Sequence, residues 1–156
     1  MSADAIAEFW QRCRADVAGL PEETPSAWAF GATREHADGL LELVLAGTKT
    51  ATASSVWDYE FSGDALPQAG ELSIILDGMG APRALIETTD VVVVPFDEVA
   101  AAHAFAEGER DRTLSSWREV HKRYWTEHSE GPRGYEPDMP VVCESFRLIV
   151  GGDGSS

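Results

Sequence analysis

The stretch ELSIILDGMGAPRALIETTDVVVV, residues 71–94, contains the strongest fold signal in the chain. Residues 71–76 and 83–94 are both rich in aliphatic and β-branched side chains, and the turn DGMG lies between them. Short apolar runs joined by Asp and Gly are typical of two strands that fold back on each other. The stretch therefore predicts an antiparallel hairpin, which Pro95 ends.

Helical patterns lie on both sides of this hairpin. Apolar residues recur every three or four positions in residues 2–17, which predicts an amphipathic helix. Further helices are expected where a good N-cap precedes such a pattern, and glycine is expected to end them. These helices begin after Thr33, Asp97 and Thr113, and the first two end at Gly47 and Gly108.

Two more runs complete the predicted sheet. Residues 48–57 can form a short strand, and residues 141–150 have the β-branched and aromatic content of a closing strand. Because helices and strands follow one another in a mixed order, we expect an α+β fold rather than a doubly wound parallel sheet. We expect an N-terminal helix and connector at residues 1–26, one domain at 27–150 and a flexible tail at 151–156.

Composition narrows the classes of function. The 156 residues include 27 Asp and Glu against 12 Lys and Arg, so the net charge is −15. This charge disfavours broad binding of double-stranded DNA and of anionic membranes. The sequence shows no membrane-spanning apolar run and no secretion signal, so we expect a cytoplasmic protein with Cys13 and Cys143 reduced. The oligomeric state is left open, with a homodimer as one option.

Lys49 is the first candidate functional residue. It is the sole charged residue between Glu42 and Asp58, within the small, hydroxyl-rich segment GTKTATASS. A lysine held out of water has a lowered pKa and can act as a base for a hydroxyl such as that of Thr52, provided that the chain turns at residues 49–51. The alternative is a solvated cation that interacts favourably with a helix C-terminus.

Glu107 and a local basic segment are the next candidates. Glu107 falls at a predicted helix end, where the dipole disfavours a negative charge and raises a carboxyl pKa; the alternative is an ordinary surface glutamate. Residues 110–123 carry five basic side chains against two acidic ones. Trp117, His121 and Trp125 follow at four-residue spacing, so this helix can stack a base and hold a phosphate. The alternative places Trp117 in the core and pairs the arginines with surface acids.

No cofactor or metal signature accompanies these candidates. The four histidines have no ligand spacing, and the sequence lacks the phosphate-loop, nucleophile-elbow and dinucleotide-binding motifs. We therefore expect neither a cofactor nor a metal.

Six short motifs resemble the ASCH domain family, and most closely its longer bacterial branch, which is catalogued as a domain of unknown function. The resemblance covers residues 28–148 and implies a PUA-like fold, a small β-barrel flanked by helices with a cleft for RNA or nucleotides. The motifs, in the order of the family, are GTKTAT (47–52), LPQAG (66–70), IETT (86–89), AEGE (106–109), WREVH (117–121) and VCESF (142–146).

The resemblance also implies an activity. Some short bacterial members are amidohydrolases that remove acyl groups from N4-acetylcytidine, and ribonuclease activity has been reported for others. The reactive Lys, Thr and Glu of the amidohydrolases match Lys49, Thr52 and, through the run HAFAE at 103–107, Glu107. This implies an amidohydrolase for an acylated nucleoside or similar small amide, in which Lys49 is the base, Thr52 the nucleophile and Glu107 the proton donor.

The candidate substrate-binding residues surround this set. They are Ser54, Trp57, Arg112, Trp117 and His121. The alternatives to the enzyme are an RNA- or nucleotide-binding module without catalysis, and a ribonuclease in which His121 is an acid or base.

Overall fold

A computed structural model describes residues 2–31, 33–129 and 131–151, with side chains from residue 4 onward. The elements in chain order are α1 (Ser2–Asp16), β1 (Ser26–Trp28), α2 (Arg34–Leu45), β2 (Ala51–Ser55), α3 (Val56–Ser62), β3 (Leu72–Leu76), β4 (Pro82–Pro95), a 3₁₀ turn (Phe96–Glu98), α4 (Ala101–Glu107), α5 (Leu114–His128) and β5 (Pro140–Val150).

The strands of the described residues form one sheet in the order β1, β3, β4, β5, β2. The predicted hairpin is confirmed, since β3 and β4 pair antiparallel. Strand β4 also pairs along most of its length with β5, and the register shifts between Leu85 and Ile86 and between Thr88 and Asp90. Such bulges bend and twist a strand, and the sheet curls into a half-barrel. The α+β fold class is confirmed.

Helices cover both faces of the curled sheet. Ile74 and Ile75 are both fully buried, because successive residues of a strand point to opposite faces. Helix α1 packs Trp10 on the face of Ile74, and α2 packs Leu41 on the face of Ile75. A third cluster, which includes Trp125, joins α4 and α5 to β5. The candidate functional site lies where this third cluster meets α2 and β2.

The structure corrects the helix that follows β4. Asp97 is not its N-cap: Asp97 lies in the 3₁₀ turn, and Ala100 occupies the N-cap position of α4. Phe96 and Val99 are buried on either side of Asp97, and Val99 keeps an extended backbone. Burial of these two side chains delays the helix by one turn. Gly108 ends α4 as expected, with a φ of 74°.

The region after α2 also differs from expectation. The strand predicted at 48–57 occupies only Ala51–Ser55 and is followed directly by α3, which the sequence pattern did not indicate. Strand β1 was not predicted either, because its three residues are held by parallel pairing with β3 rather than by a local pattern. The caps at Thr33 and Thr113 are confirmed, since both hydroxyls accept a hydrogen bond from a backbone N–H of the first turn.

Two further points concern the ends of the chain and the membrane. Residues 152–156 of the expected flexible tail lie outside the described residues. Within the described part of the chain, every helix is too short or too polar to cross a bilayer.

Candidate active site

Lys49 enters the protein interior because of the way α2 ends. The backbone N–H groups of Thr48 and Lys49 both donate to the Leu43 carbonyl, at 2.9 and 3.0 Å, after Gly47 has taken a left-handed conformation with a φ of 80°. This turn directs the Lys49 side chain inward, where it is 1% exposed. The alternative of a solvated cation at the helix end is therefore wrong.

Three acceptors surround the Lys49 ammonium. Its Nζ lies 2.9 Å from the Ala51 carbonyl, 3.4 Å from the Glu107 carbonyl and 3.2 Å from Glu109 Oε2. An ammonium has three protons to donate and no acceptor site, so this arrangement suits the charged form of the side chain. The face of the Phe30 ring, 5.3 Å away, adds a cation–π contact.

Glu107 is the centre of a buried polar network. Its side chain is 1% exposed. Oε2 accepts hydrogen bonds from Trp117 Nε1 and from His103 Nε2, each at 2.6 Å. Oε1 lies 3.2 Å from His121 Nε2 and 3.8 Å from Lys49 Nζ. The carboxylate therefore has donors on both oxygens, as a buried charge requires.

These neighbouring groups shift the pKa values of Glu107 and His121. Burial by itself raises the pKa of Glu107, but the charges and hydrogen bonds of His121, His103 and Lys49 outweigh it and hold the pKa below its usual value. The raised carboxyl pKa expected from the helix dipole is therefore wrong. Burial opposes the charge on His121, but Glu107 raises the pKa of that imidazole above its usual value. His121 Nδ1 donates to the Trp117 carbonyl at 2.8 Å.

A backbone hydrogen bond holds the C-terminal end of α4 against residues 48–50, the segment that carries Lys49. The Thr50 N–H donates to the Ala106 carbonyl at 2.7 Å. Gly108 is required here, because a Cβ at this position would lie 2.7 Å from the Thr48 carbonyl oxygen. Its positive φ also favours glycine. The close contact holds Glu107 and Lys49 together although they are 58 residues apart in sequence.

The polar network forms the floor of a pocket of about 100 Å³. The pocket adjoins a groove of about 830 Å³, and both are lined by Phe30, Thr52 and Tyr124. The groove has the size of a typical small-molecule site, whereas the pocket alone is smaller. Together they form a small charged recess beside a wider groove that is large enough for a small molecule.

The structure places most, but not all, of the predicted site residues on this cavity. Four of them line the pocket: Lys49, Thr52, Glu107 and His121. Ser54 lies along the groove. An irregular turn was expected at residues 49–51; residues 48–50 have no regular secondary structure, but Ala51 already belongs to β2.

The other three predicted substrate-binding residues do not line the pocket or the groove. Trp117 is buried behind Glu107 and stacks on His121, with ring centroids 4.2 Å apart. Trp57 lines a separate depression, where the Arg133 guanidinium lies 3.6 Å from its ring centroid.

Arg112 is the third of these residues, and it holds the two site segments together. Its Nε donates to the Phe105 carbonyl at 2.9 Å and its Nη2 to the Thr48 carbonyl at 3.3 Å. Its guanidinium lies 3.6 Å from the centroid of the Phe105 ring. Arg112 therefore links the end of α4 to the segment that leads to Lys49.

Three residues of the candidate site were not indicated by the sequence. His103 precedes Glu107 by four residues on α4, and this spacing could have indicated their contact. Glu109 meets Lys49 only through the junction of α4 with the lysine segment. Glu144 is a buried carboxyl on the groove wall, and its position depends on strand pairing.

The same network contains donors of the kinds that bind metals. Ligand atoms of Glu107, Glu109 and His121 lie within 4.8 Å of one another. The Lys49 ammonium already lies between the two carboxylates, at 3.8 Å from Glu107 and 3.2 Å from Glu109. A metal ion would have to compete with this ammonium, so the set is better suited to proton transfer than to metal binding.

The fold and site define a class of small α+β proteins in which a curled sheet and its helices enclose a charged pocket. A family model for the ASCH domain matches residues 26–150. The chain belongs to the ASCH domain family, and its structural neighbours confirm the PUA-like barrel that the sequence motifs imply. No functionally curated protein matches the chain.

Three solved structures are similar to the chain. Protein EF3133 from Enterococcus faecalis V583 is 37% identical, with a TM-score of 0.85 over 95% of this chain and 91% of that one. An ASCH domain from Lactobacillus crispatus JV V101 is 27% identical, with a TM-score of 0.84 over 94% of each chain. Hypothetical protein PH0355 is 16% identical, with a TM-score of 0.51 over 78% of this chain and 98% of that one, and shares only the fold.

Proposed function

We propose that this ASCH-domain protein is an amidohydrolase that cleaves a small amide, with an acylated nucleoside of the N4-acetylcytidine type as substrate. The observation that carries the proposal is the convergence of Lys49, Thr52 and Glu107 on one pocket. Burial keeps bulk water away from Lys49 and Glu107, which strengthens the electrostatic interactions between them.

Thr52 is the proposed nucleophile. Its side chain lines both the pocket and the groove, so its hydroxyl can meet a substrate that enters from the groove. Among the described residues, this hydroxyl has no hydrogen-bond partner. A hydroxyl is a weak nucleophile by itself and needs a base that removes its proton.

Lys49 is the proposed base, and Glu109 prepares it for that role. The ammonium passes a proton to Glu109, 3.2 Å away, and the neutral amine then takes the proton of Thr52 as Oγ1 attacks the acyl carbon. When the carbon–nitrogen bond breaks, Lys49 gives this proton to the leaving amine. Lys49 next takes a proton from water as the water oxygen attacks the ester carbon, and it gives that proton to Thr52 Oγ1 when the carboxylic acid leaves. Glu109 then returns its proton to Lys49.

Glu107 has a different role in this proposal from the one implied by family resemblance. A carboxylate with a lowered pKa is a poor proton donor at neutral pH, so Glu107 stays ionised and orients Lys49 and His121 through the reaction. The protonated His121 at the pocket wall then stabilises negative charge on the substrate oxygen through its own positive charge, since its two N–H groups already contact Glu107 and the Trp117 carbonyl.

The groove lining favours this enzyme over the alternative of an RNA-binding module. Asp64, Glu71 and Glu144 line the groove, and its described lining residues include no lysine or arginine. Arg118, Lys122 and Arg123 are exposed rather than part of the cavity wall. A phosphate in the groove would be repelled by the carboxylates, whereas an uncharged nucleoside would not.

The experiment is a hydrolysis assay on the purified protein with N4-acetylcytidine, in which cytidine release is measured by chromatography. Thr52→Val keeps the shape of the side chain but removes the hydroxyl, so we expect a loss of turnover of at least a hundredfold. Thr89→Val is the matched control, because Thr89 is exposed and lines neither the pocket nor the groove. Its turnover should stay within about twofold of the unmodified protein.

Two results would refute the proposal. One is the absence of cytidine release by the unmodified protein; the other is equal turnover by the two threonine variants. Binding of short single-stranded RNA that weakens steeply with salt, in a protein without turnover, would favour the RNA-binding module instead.

A further inference from the structure

Glu144 is a buried carboxyl that the proposed reaction does not use. Its side chain is 6% exposed and lies on the wall of the groove. Oε2 accepts a hydrogen bond of 2.6 Å from the hydroxyl of Thr88, which is itself buried. Oε1 has no hydrogen-bond partner among the described residues and is not one of the buried atoms that lack a partner, so a molecule in the groove can reach it.

Strand pairing places Glu144 beside the proposed nucleophile. Glu144 of β5 is directly opposite Thr52 of β2 in the antiparallel register. Residues paired in this way have their side chains on the same face of the sheet, with Cβ atoms about 5 Å apart. A ligand group bound at Oε1 would therefore lie on the same wall of the groove as Thr52, within the length of one small substrate.

A pair of hydroxyl groups faces the same groove. Ser54 Oγ and Tyr59 OH are 3.2 Å apart and hydrogen-bonded, and both residues line the groove. Burial raises the pKa of Tyr59, with a further contribution from the charge of Glu144, so the phenol keeps its proton. The wall near Thr52 thus carries one carboxyl and two hydroxyls.

The charge state of Glu144 indicates what this wall can bind. Burial raises the pKa of its carboxyl, and so does the nearby charge of Glu71, against the hydrogen bond from Thr88. In the ionised form Oε1 accepts a hydrogen bond, and in the protonated form the carboxyl can also donate one. A ligand hydroxyl both donates and accepts, so it can pair with either form, whereas a phosphate would be repelled by the ionised one.

We propose that Glu144, with Ser54 and Tyr59, binds the sugar hydroxyls of the substrate, so that the enzyme acts on an unphosphorylated ribonucleoside. This inference rests on the proposed amidohydrolase function, since it places the sugar in the groove and the acylated amine in the pocket. Glu144 positions the ligand and selects for its hydroxyl groups, and it takes no part in bond cleavage.

Binding of cytidine, the deacylated product, tests the inference by isothermal titration. We expect cytidine to bind at least about fivefold more tightly than 2′,3′-dideoxycytidine, which lacks the two hydroxyls, and more tightly than cytidine 5′-monophosphate. Glu144→Gln keeps an acceptor for Thr88 but replaces Oε1 with an uncharged amide N–H group that only donates, so we expect it to weaken the preference for cytidine over the dideoxy compound. Thermal melting verifies that this variant is folded.

A matched control separates the local contact from the general charge of the protein. Glu60→Gln removes one negative charge from exposed Glu60, which follows Tyr59 on α3 but does not line the groove. We expect its preference for cytidine to equal that of the unmodified protein. The inference is overturned if the dideoxy compound binds as well as cytidine, if cytidine does not bind, or if both glutamine variants behave alike.

A parallel hydrolysis assay distinguishes failure of this inference from failure of the proposed function. Equal kcat/KM values for N4-acetylcytosine, the free base, and N4-acetylcytidine would show an amidohydrolase that ignores the sugar, which overturns only the role of Glu144. Cytidine binding that depends on Glu144, in a protein that hydrolyses neither compound, would support the sugar site and refute the enzyme.

Discussion

Replacing Glu107 with glutamine would remove the negative charge at the centre of the buried network while nearly preserving the shape of the side chain. The glutamine oxygen can accept only some of the hydrogen bonds that the carboxylate now receives. Its amide group would also present N–H donors to groups that are themselves donors, His121 Nε2 at 3.2 Å and Lys49 Nζ at 3.8 Å. The buried ammonium would retain Glu109 as its only carboxylate partner in the network.

The expected cost follows from these contacts. Removing one partner of a buried ion pair destabilises a protein by about 3 to 5 kcal/mol, because the remaining charge stays buried without compensation. Glu107 is 1% exposed, and its two hydrogen bonds of 2.6 Å are lost or weakened together with the ionic contacts. We therefore expect Glu107→Gln to lower the free energy of unfolding by about 3 kcal/mol, which for a domain of this size lowers Tm by about 10 °C.

Urea unfolding at pH 7, followed by tryptophan fluorescence, measures this change. Glu109→Gln is the matched control, because its carboxylate also contacts Lys49 but the side chain is 19% exposed. We expect the control to cost about 1 kcal/mol or less, as for partly solvated ion pairs. The reasoning is refuted if Glu107→Gln stays within about 1 kcal/mol of the unmodified protein, or if both variants cost the same.

Three further predictions concern the same network. Trp117→Phe removes the donor to Glu107 Oε2 but keeps an aromatic ring, and we expect a loss of about 2 kcal/mol in urea unfolding; an unchanged midpoint would show that the bond contributes little. Because Glu107 raises the pKa of His121, the stabilisation from the imidazolium is complete below the usual pKa of 6.5 and is lost as pH rises through the higher folded-state value. The free energy of unfolding should therefore decline as pH rises through that window, and His121→Asn should remove this decline. If His121→Asn shows the same pH profile as the unmodified protein, the decline does not come from His121. Arg112→Ala should lower turnover of N4-acetylcytidine severalfold by loosening the contact with Thr48, whereas a rate equal to that of the unmodified protein would limit Arg112 to a role outside the site.

Much of the secondary structure was predictable because its causes are local. The hairpin at residues 71–94 follows from two β-rich runs and a turn between them, and its observed pairing agrees. The caps at Thr33 and Thr113 depend only on a hydroxyl and an N–H three residues later. Strand β1 and helix α3 were missed, because the first depends on pairing with β3 and the second follows β2 without a side-chain cap.

The candidate site was predictable in its membership but not in its electrostatics. The sequence indicated Lys49, Thr52 and Glu107, and the structure places all three on one pocket; their catalytic roles remain predictions. The low pKa of Glu107 could not be derived from its place at a helix end, since His121 and Lys49 approach it from other elements. Arg112 was expected at the substrate and instead links two segments through backbone carbonyls.

The sequence by itself determined where most of the helices and strands form and which residue types are available for chemistry, because periodicity, caps and turns act over a few residues. Only the tertiary structure decided which charges meet. The protonation of a group depends on distances of a few ångströms and on exclusion of water, and both arise here from the contact between α4 and the segment after α2. These two segments are far apart in sequence, so no local sequence pattern indicates that they are in contact.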